Sequence, residues 1–226
     1  MLTAEALKKV PLCSSMPMDE LKKLGVVLSE YSFIKTMEPN ERLMEIGKRT
    51  EYLYLLESGM IRTVNYSSAG EEIFFYYFQE RTFIGVVNII CRVKNYSDYI
   101  TMKKSRLYCI PVENFYKALD EIPSFTKAVL EEVSKKSLDL VQLVVVSRRK
   151  KTRDRICSYL YLNYMKTGEK MYSTPLTIEM LAKTLNLTRS ALSKELHQME
   201  DEGLITVLKN KIQIINPEKL EDSLFF

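Results

Sequence analysis

The chain has 226 residues, 46% of them hydrophobic, with 33 Lys+Arg against 29 Asp+Glu for a formal net charge of +4. That is enough apolar material for one large domain or two modest ones. No run of about 18 uncharged apolar residues occurs, and the opening "MLTAEALKKVPLCSSMPMDELKKL" is broken by charge and Pro, so neither a membrane span nor a secretory signal is expected and the chain reads as soluble and cytoplasmic.

The charge is unevenly spread. Residues 1–147 hold 19 of each sign, whereas residues 148–226 hold 14 Lys+Arg against 10 Asp+Glu, so all of the excess lies in the C-terminal third. Two domains fit this asymmetry better than one, and the local excess is the footprint of a phosphate-binding surface. Cys13, Cys91, Cys109 and Cys157 are 78, 18 and 48 residues apart, with no C-x-x-C and no neighbouring His. No disulfide framework, metal site or cofactor is expected; each Cys reads as a small buried hydrophobe, with a redox-sensing thiol as the alternative.

Between Pro39 and Pro111 the pattern alternates in short runs rich in Tyr, Phe and Ile: "RLMEI", "YLYLLES", "MIRTVNY", "EEIFFYYF", "TFIGVV", "SDYITM" and "SRLYCI". These predict strands, and the turns at Gly47, Ser58-Gly59, Ser68-Ala69-Gly70 and Gly85 suggest an antiparallel barrel or sandwich. In "IFFYYF", strand alternation puts Tyr76 opposite Phe75 and Tyr77, so one face fills the core and the other contributes to a pocket, or all are packing. After Pro111 "VENFYKALDEI" predicts a helix, and from Pro123 a second runs some 25 residues without Gly or Pro. Its Val129, Val133, Leu140 and Val144 recur near 3.5-residue spacing and Leu143-Val144-Val145-Val146 is apolar almost all round, so it needs cover on two sides. A second copy of the chain would supply one side; a monomer's core helix is the alternative.

The basic run "RRKKTR", Arg148 to Arg153, reads as phosphate-facing or as a solvated linker. After a short helix, "TRDRICSYLYLNYMK", comes "LTIEMLAKTLNLTRSALSKELHQMEDEGLI". Ile178, Leu181, Ala182 and Leu185 form one helical stripe; Asn186 tolerates a left-handed turn and Thr188 can cap the next helix. There Leu192, Leu196 and Met199 face inward while Ser190, Ser193, Lys194 and His197 line the outside. Gly203 is a helix stop, and "LITVLKNKIQII" predicts a hairpin with Lys209-Asn210-Lys211 at its tip. This is a winged helix-turn-helix pattern. Helical pairs of this kind also occur in domains that touch no nucleic acid, so a module docking a protein partner stays open.

Taken together, "YLYLLESGMIRTV", "ERTFIG" and "PLTIEMLAKTLNLTRSALSKELHQMEDEGLI" resemble the cyclic AMP receptor and FNR (CRP/FNR) family of bacterial transcription regulators over essentially the entire chain. The resemblance implies an α+β fold: an N-terminal antiparallel β-barrel (a double-stranded β-helix, cyclic-nucleotide-binding-like), a long dimerisation helix and a C-terminal winged helix-turn-helix. The expected divisions are 1–122 with flanking helices, 123–149 and 150–226. It implies a homodimer whose recognition helices enter successive major grooves of a near-palindromic site about 34 Å apart. Carried over, Arg189 matches the guanine-contacting Arg and Lys194 a second basic contact, while Thr188 caps and donates to phosphate. The frequent Glu after that Arg is Ser190 here, so the half-site should differ. The expected DNA-binding set is Thr177, Thr188, Arg189, Ser190, Ser193, Lys194, His197, Lys209 and Lys211.

For the sensor, cyclic AMP needs a carboxylate and an Arg where this chain has Val86 and Asn95-Tyr96, with Arg92 nearby. An iron-sulfur cluster needs several thiolates near Cys13, and haem needs an axial ligand such as a barrel His, whereas the sole His is His197. A small organic effector or none remains, with Tyr76, Gly85, Val86, Arg92 and Tyr99 as its candidate contacts. Double-stranded DNA, a second copy, RNA polymerase and a small organic effector are the expected partners, with no membrane. No Ser-His-Asp set, metal-ligand cluster or phosphate-cradling Gly loop points to an enzyme.

Overall fold

A computed structural model describes residues 2–68, 70, 72–173, 177–208 and 211–221. The chain forms two compact units, Met1–Lys135 and Lys136–Phe226, so the division falls inside the long helix.

In the first unit, α1 (Ala4–Lys8) is capped by Thr3, whose Oγ1 accepts from the Ala6 amide at 3.2 Å, and a turn at Pro11–Cys13 leads to α2 (Met18–Ser29). Leu21, Leu24 and Leu28 bury one stripe of α2. Eight strands follow: β1 (Phe33–Met37), β2 (Arg42–Met44), β3 (Tyr52–Ser58), β4 (Met60–Tyr66), β5 (Glu72–Gln79), β6 (Thr82–Ile84), β7 (Asp98–Thr101) and β8 (Ser105–Pro111), with α3 (Val86–Ile90) between β6 and β7. They make two four-stranded antiparallel sheets, ordered β1-β8-β3-β6 and β2-β7-β4-β5. The expected barrel is not closed; it is a jelly-roll-like pair of sheets.

Strand periodicity explains how one sheet serves two cores. In β3, Leu53 and Leu55 pack with the helices, whereas Tyr54 and Leu56 point between the sheets; in β8, Ile110 joins the helical cluster and Leu107 and Cys109 the inter-sheet one. A strand covered on both faces reads as a continuous apolar run, as "YLYLL" does. α4 (Val112–Glu121) and the start of α5 (Pro123–Ser147) complete the helical layer through Phe115, Ala118, Phe125 and Val129.

Two sequence expectations need correction, and one strand went unread. "TFIGVV" is not one strand: Gly85, at φ 97, ends β6, and Val86 opens α3. An added Cβ there would also sit 3.1 Å from Thr50 Cγ2. β1 was unread because only Met37 of its five residues is buried. The clean alternation assumed for Tyr76 is broken by a register shift, since Thr63 pairs with Tyr76 but Val64 with Phe74, and Tyr77 stacks 6.0 Å from Tyr76. The Phe75 side chain lies outside the described residues.

The second unit holds the rest of α5, then α6 (Thr152–Thr167), β9 (Met171–Ser173), α7 (Ile178–Thr184), α8 (Arg189–Asp201), β10 (Ile205–Leu208), β11 (Lys211–Ile214) and α9 (Pro217–Glu221). The three strands form a sheet ordered β10-β11-β9, so the wing has a third strand that the sequence pattern did not reveal. Its core is built from Ile156 and Leu160 of α6, Leu181, Ala182 and Leu185, Leu192, Leu196 and Met199, and Ile205, Ile212 and Ile214. Among the described residues no helix is long and apolar enough to cross a membrane.

Candidate nucleic-acid interface

Two capped helices and one fixed turn set the geometry of the second unit. Thr177 caps α7, its Oγ1 accepting from the Met180 amide at 3.3 Å. α7 ends in a left-handed residue, Asn186 at φ 53, and the amides of Asn186 and Leu187 donate to Lys183 and Ala182 carbonyls at 3.1 and 2.8 Å. This is the Schellman arrangement, which satisfies carbonyls that a helix end leaves open. Leu187 then packs on the core, and Thr188 Oγ1 accepts from the Ala191 amide at 3.1 Å to start α8. A hydroxyl bond of 3.1 Å also links Thr188 and Ser190.

α8 is held by its inner stripe, with Leu192, Leu196 and Met199 buried. Its other side carries Arg189, Ser190, Lys194 and His197 exposed and Ser193 half-buried, with Thr188 exposed at the start. The first turn of α8 has no acidic residue, so its N-terminal partial positive charge adds to Arg189 and Lys194. Gly203, at φ 69, ends the helix, and the Glu200 carboxylate accepts from the Val207 amide at 2.8 Å, fixing β10 against α8. The β10–β11 hairpin pairs Leu208 with Lys211, and Lys211 is exposed. Lys209, expected at the wing tip, lies outside the described residues, as do Pro175 and Leu176.

The basic run is not uniformly outward. Arg148, Lys150 and Lys151 are exposed between α5 and α6, but Arg153 is engaged by Glu195 of α8 and by Glu202, the residue at its C-cap. Arg155, unremarked in the sequence, donates to the Asn186 carbonyl at 2.7 Å and to the Arg149 carbonyl at 2.6 Å. Part of the positive charge counted from sequence therefore holds the second unit together. No sequence pattern separates such cations from solvent-facing ones, because the Asn186, Glu195 and Glu202 partners lie 31 to 49 residues away.

The five candidate effector contacts fall in two groups. Tyr76 and Tyr99 are joined through Phe78, with ring centroids 4.9 and 5.8 Å apart. Gly85 and Val86 open α3, where Val86 packs with the helical cluster, and Arg92 follows it, exposed and at φ 55. An open pocket of about 470 Å³ is lined by none of these five but by Ile46, Gly47, Val93, Lys94, Asn95 and Tyr96, starting one residue after Arg92. Asn95 is buried and its amide oxygen accepts from Thr50 Oγ1 at 2.7 Å and Asn88 Nδ2 at 3.1 Å, while its nitrogen donates to the Glu45 carbonyl.

Cys13, Cys109 and Cys157 are buried as expected, but Cys91, just after α3, is exposed. Burial pushes the Cys13 thiol up to about 12 and that of Cys109 to about 11.

Known proteins bear the same architecture. A family model described as a Crp-like helix-turn-helix domain matches residues 154–223, and one described as a cyclic nucleotide-binding domain matches residues 34–121. The global nitrogen regulator of Synechococcus elongatus is 22% identical over 194 residues, covering 83% of this chain and 87% of its own. Among solved structures, a CooA variant from Carboxydothermus hydrogenoformans is 16% identical with a TM-score of 0.70, covering 88% of this chain and 89% of that one. CprK complexed with OCPA is 15% identical with a TM-score of 0.72, covering 88% and 92%. At these identities the structural likeness establishes a shared fold.

Proposed function

The chain belongs to the CRP/FNR family of transcription regulators, and on that footing we propose that it reads a near-palindromic operator as a homodimer through the outer face of α8. One observation carries this reading: the hydroxyl and cationic side chains of Thr188, Arg189, Ser190, Ser193, Lys194 and His197 share one side of a helix whose other side is buried in the core. Helix termini and hydroxyls set the register on phosphates, and Arg189 and Lys194 read base edges. Thr177 adds a hydroxyl at the start of α7, and Lys209 and Lys211 bring the wing to the backbone.

Dimerisation is supported by α5. Leu138, Val141 and Val145 are 64%, 60% and 52% exposed and follow one another at the three- and four-residue spacing of a two-helix seam. Leu140 and Val144, expected in the seam, are exposed too, whereas Val129 is buried in its own unit. So wide an apolar strip on one helix is the kind of surface a second copy covers.

The sensor reading is a small organic effector other than cyclic AMP. It is supported by Val86 and Asn95, since neither supplies the charge that a cyclic nucleotide requires and the Asn95 amide is already engaged. Tyr76 and Tyr99 are its proposed aromatic contacts, and Gly85, Val86 and Arg92 those near α3. Contact with RNA polymerase at the promoter belongs to the same reading.

The test is selection of binding sites by the purified, reduced full chain from a random duplex pool at moderate salt. An enriched inverted repeat with half-sites about one helical turn apart is the expected result. A single, unrepeated half-site would count against the dimer, and loss of enrichment of any motif would count against the reader.

A further inference from the structure

Arg153 stands in the first turn of α6, yet its guanidinium is spent on α8. Nε donates to Glu195 Oε1 at 2.6 Å, while Nη1 and Nη2 donate to the two oxygens of Glu202 at 2.8 and 2.7 Å. Glu195 and Glu202 are seven residues apart, so they stack two turns apart on the same flank of α8, between the buried stripe and the outward face. A planar fork with donors on two edges can hold Glu202 at two points and Glu195 at a third from three separate nitrogens; an ammonium, with its donors on one atom, cannot reproduce that two-point pair or its direction. Arg155, two residues on, holds the Asn186 carbonyl in the turn before α8. One turn of α6 thus fixes α8 along its flank and steadies the turn that leads into it.

This matters for reading because Leu192, Leu196 and Met199 are greasy contacts without direction. They keep α8 on the core but resist its rotation about its own axis weakly, whereas three directional hydrogen bonds at two heights define rotation and tilt. We propose that Arg153 is a positioning residue for DNA recognition, orienting α8 through Glu195 and Glu202 so that Arg189 and Lys194 meet base edges in register. The inference rests on the reader assignment above.

Removing Arg153 would also leave two bare carboxylates on the reading helix, so the test must separate geometry from charge. The full chain is used, with the duplex it selects from the random pool and a scrambled duplex of equal length. The quantity read is the ratio of the two affinities, alongside the thermal midpoint of each variant. In Arg153→Met the ratio should fall roughly tenfold or more, the size of losing one base pair's contacts. The triple variant Arg153→Met/Glu195→Gln/Glu202→Gln carries no bare carboxylate; it should bind scrambled duplex as well as wild type and keep the low ratio. Arg153→Lys preserves the charge and should lower the ratio as well, and it carries the test if the Met variant does not fold. Recovery of the ratio in the triple variant would show that Arg153 acts by neutralisation alone and overturn the proposal, as would an unchanged ratio in Arg153→Met or Arg153→Lys. If the wild-type chain selects no motif, the reader assignment itself falls, and the inference with it.

Discussion

At the scale of single residues, cations of one sign do different work according to what lies opposite them. Arg189 and Lys194 are exposed on the outer side of α8, whereas Arg153 and Arg155 are tied to partners within the same unit. Arg189→Ala is expected to cost about 1 to 3 kcal/mol of operator binding and to relax one base position, while Lys209→Ala should weaken all duplexes alike and flatten the salt dependence. Titrations of binding against salt on selected and scrambled duplexes check this; equal losses from both changes on every sequence would count against base reading by Arg189. The Arg153–Glu202 pair makes a second prediction. Hydrogen bonding to Arg153 holds the Glu202 carboxyl below its ordinary 4.5. A carboxylate depressed in this way stabilises the fold above its ordinary value and loses that contribution as pH falls through the folded value. The stability difference between wild type and Arg153→Met should accordingly be full at neutral pH and shrink in the acid range. Carboxyl NMR would show the Glu202 midpoint below 4.5 in wild type and back near it in the variant.

At the scale of elements, the helices of the reader were legible because each carries its own stop and start. Asn186 and Gly203 sit at the left-handed positions, and Thr177 and Thr188 at the caps, that local chemistry demands. The strands β3, β4 and β8 were legible for the same reason: alternation and flanking turns are local. β1, β9 and α3 were not. β1 shows water four of its five residues, β9 has only three residues, and α3 is a single turn begun by a glycine that reads equally well as a strand bend. For α5 the sequence indicated a need for cover but not which residues would lack it. The exposed set centres on Leu138, Val141 and Val145. Leu138→Glu together with Val141→Glu should therefore convert a dimer to monomer without unfolding either unit, with operator affinity falling alongside. Sedimentation measures the first effect and circular dichroism the second; a dimer that survives both changes would place the interface elsewhere.

At the scale of the molecule, the chain is two compact units whose division lies between Lys135 and Lys136, inside one continuous helix. Helical periodicity runs unbroken through that point, so nothing in the pattern marks it. The sheet layer shows the same limit. Alternating runs established that strands exist but left open whether they closed, because closure depends on which strand pairs with which, and pairings such as Phe33 with Cys109 join residues far apart in sequence. The proposed effector contacts suffered most: Tyr76 and Tyr99 meet through Phe78, while Gly85, Val86 and Arg92 belong to another part of the unit. What the sequence determined by itself was whatever short-range chemistry encodes: the caps, the left-handed turn, the inward and outward faces of α8, the strand alternation and, through those motifs, the family. What only the tertiary structure decided was the partner of each side chain. It turned Arg153 from part of a basic run read as phosphate-facing or as a solvated linker into the grip on α8, exposed Cys91 where burial was expected, and left the sheets as an open pair, because all three depend on contacts between residues that chain order does not bring together.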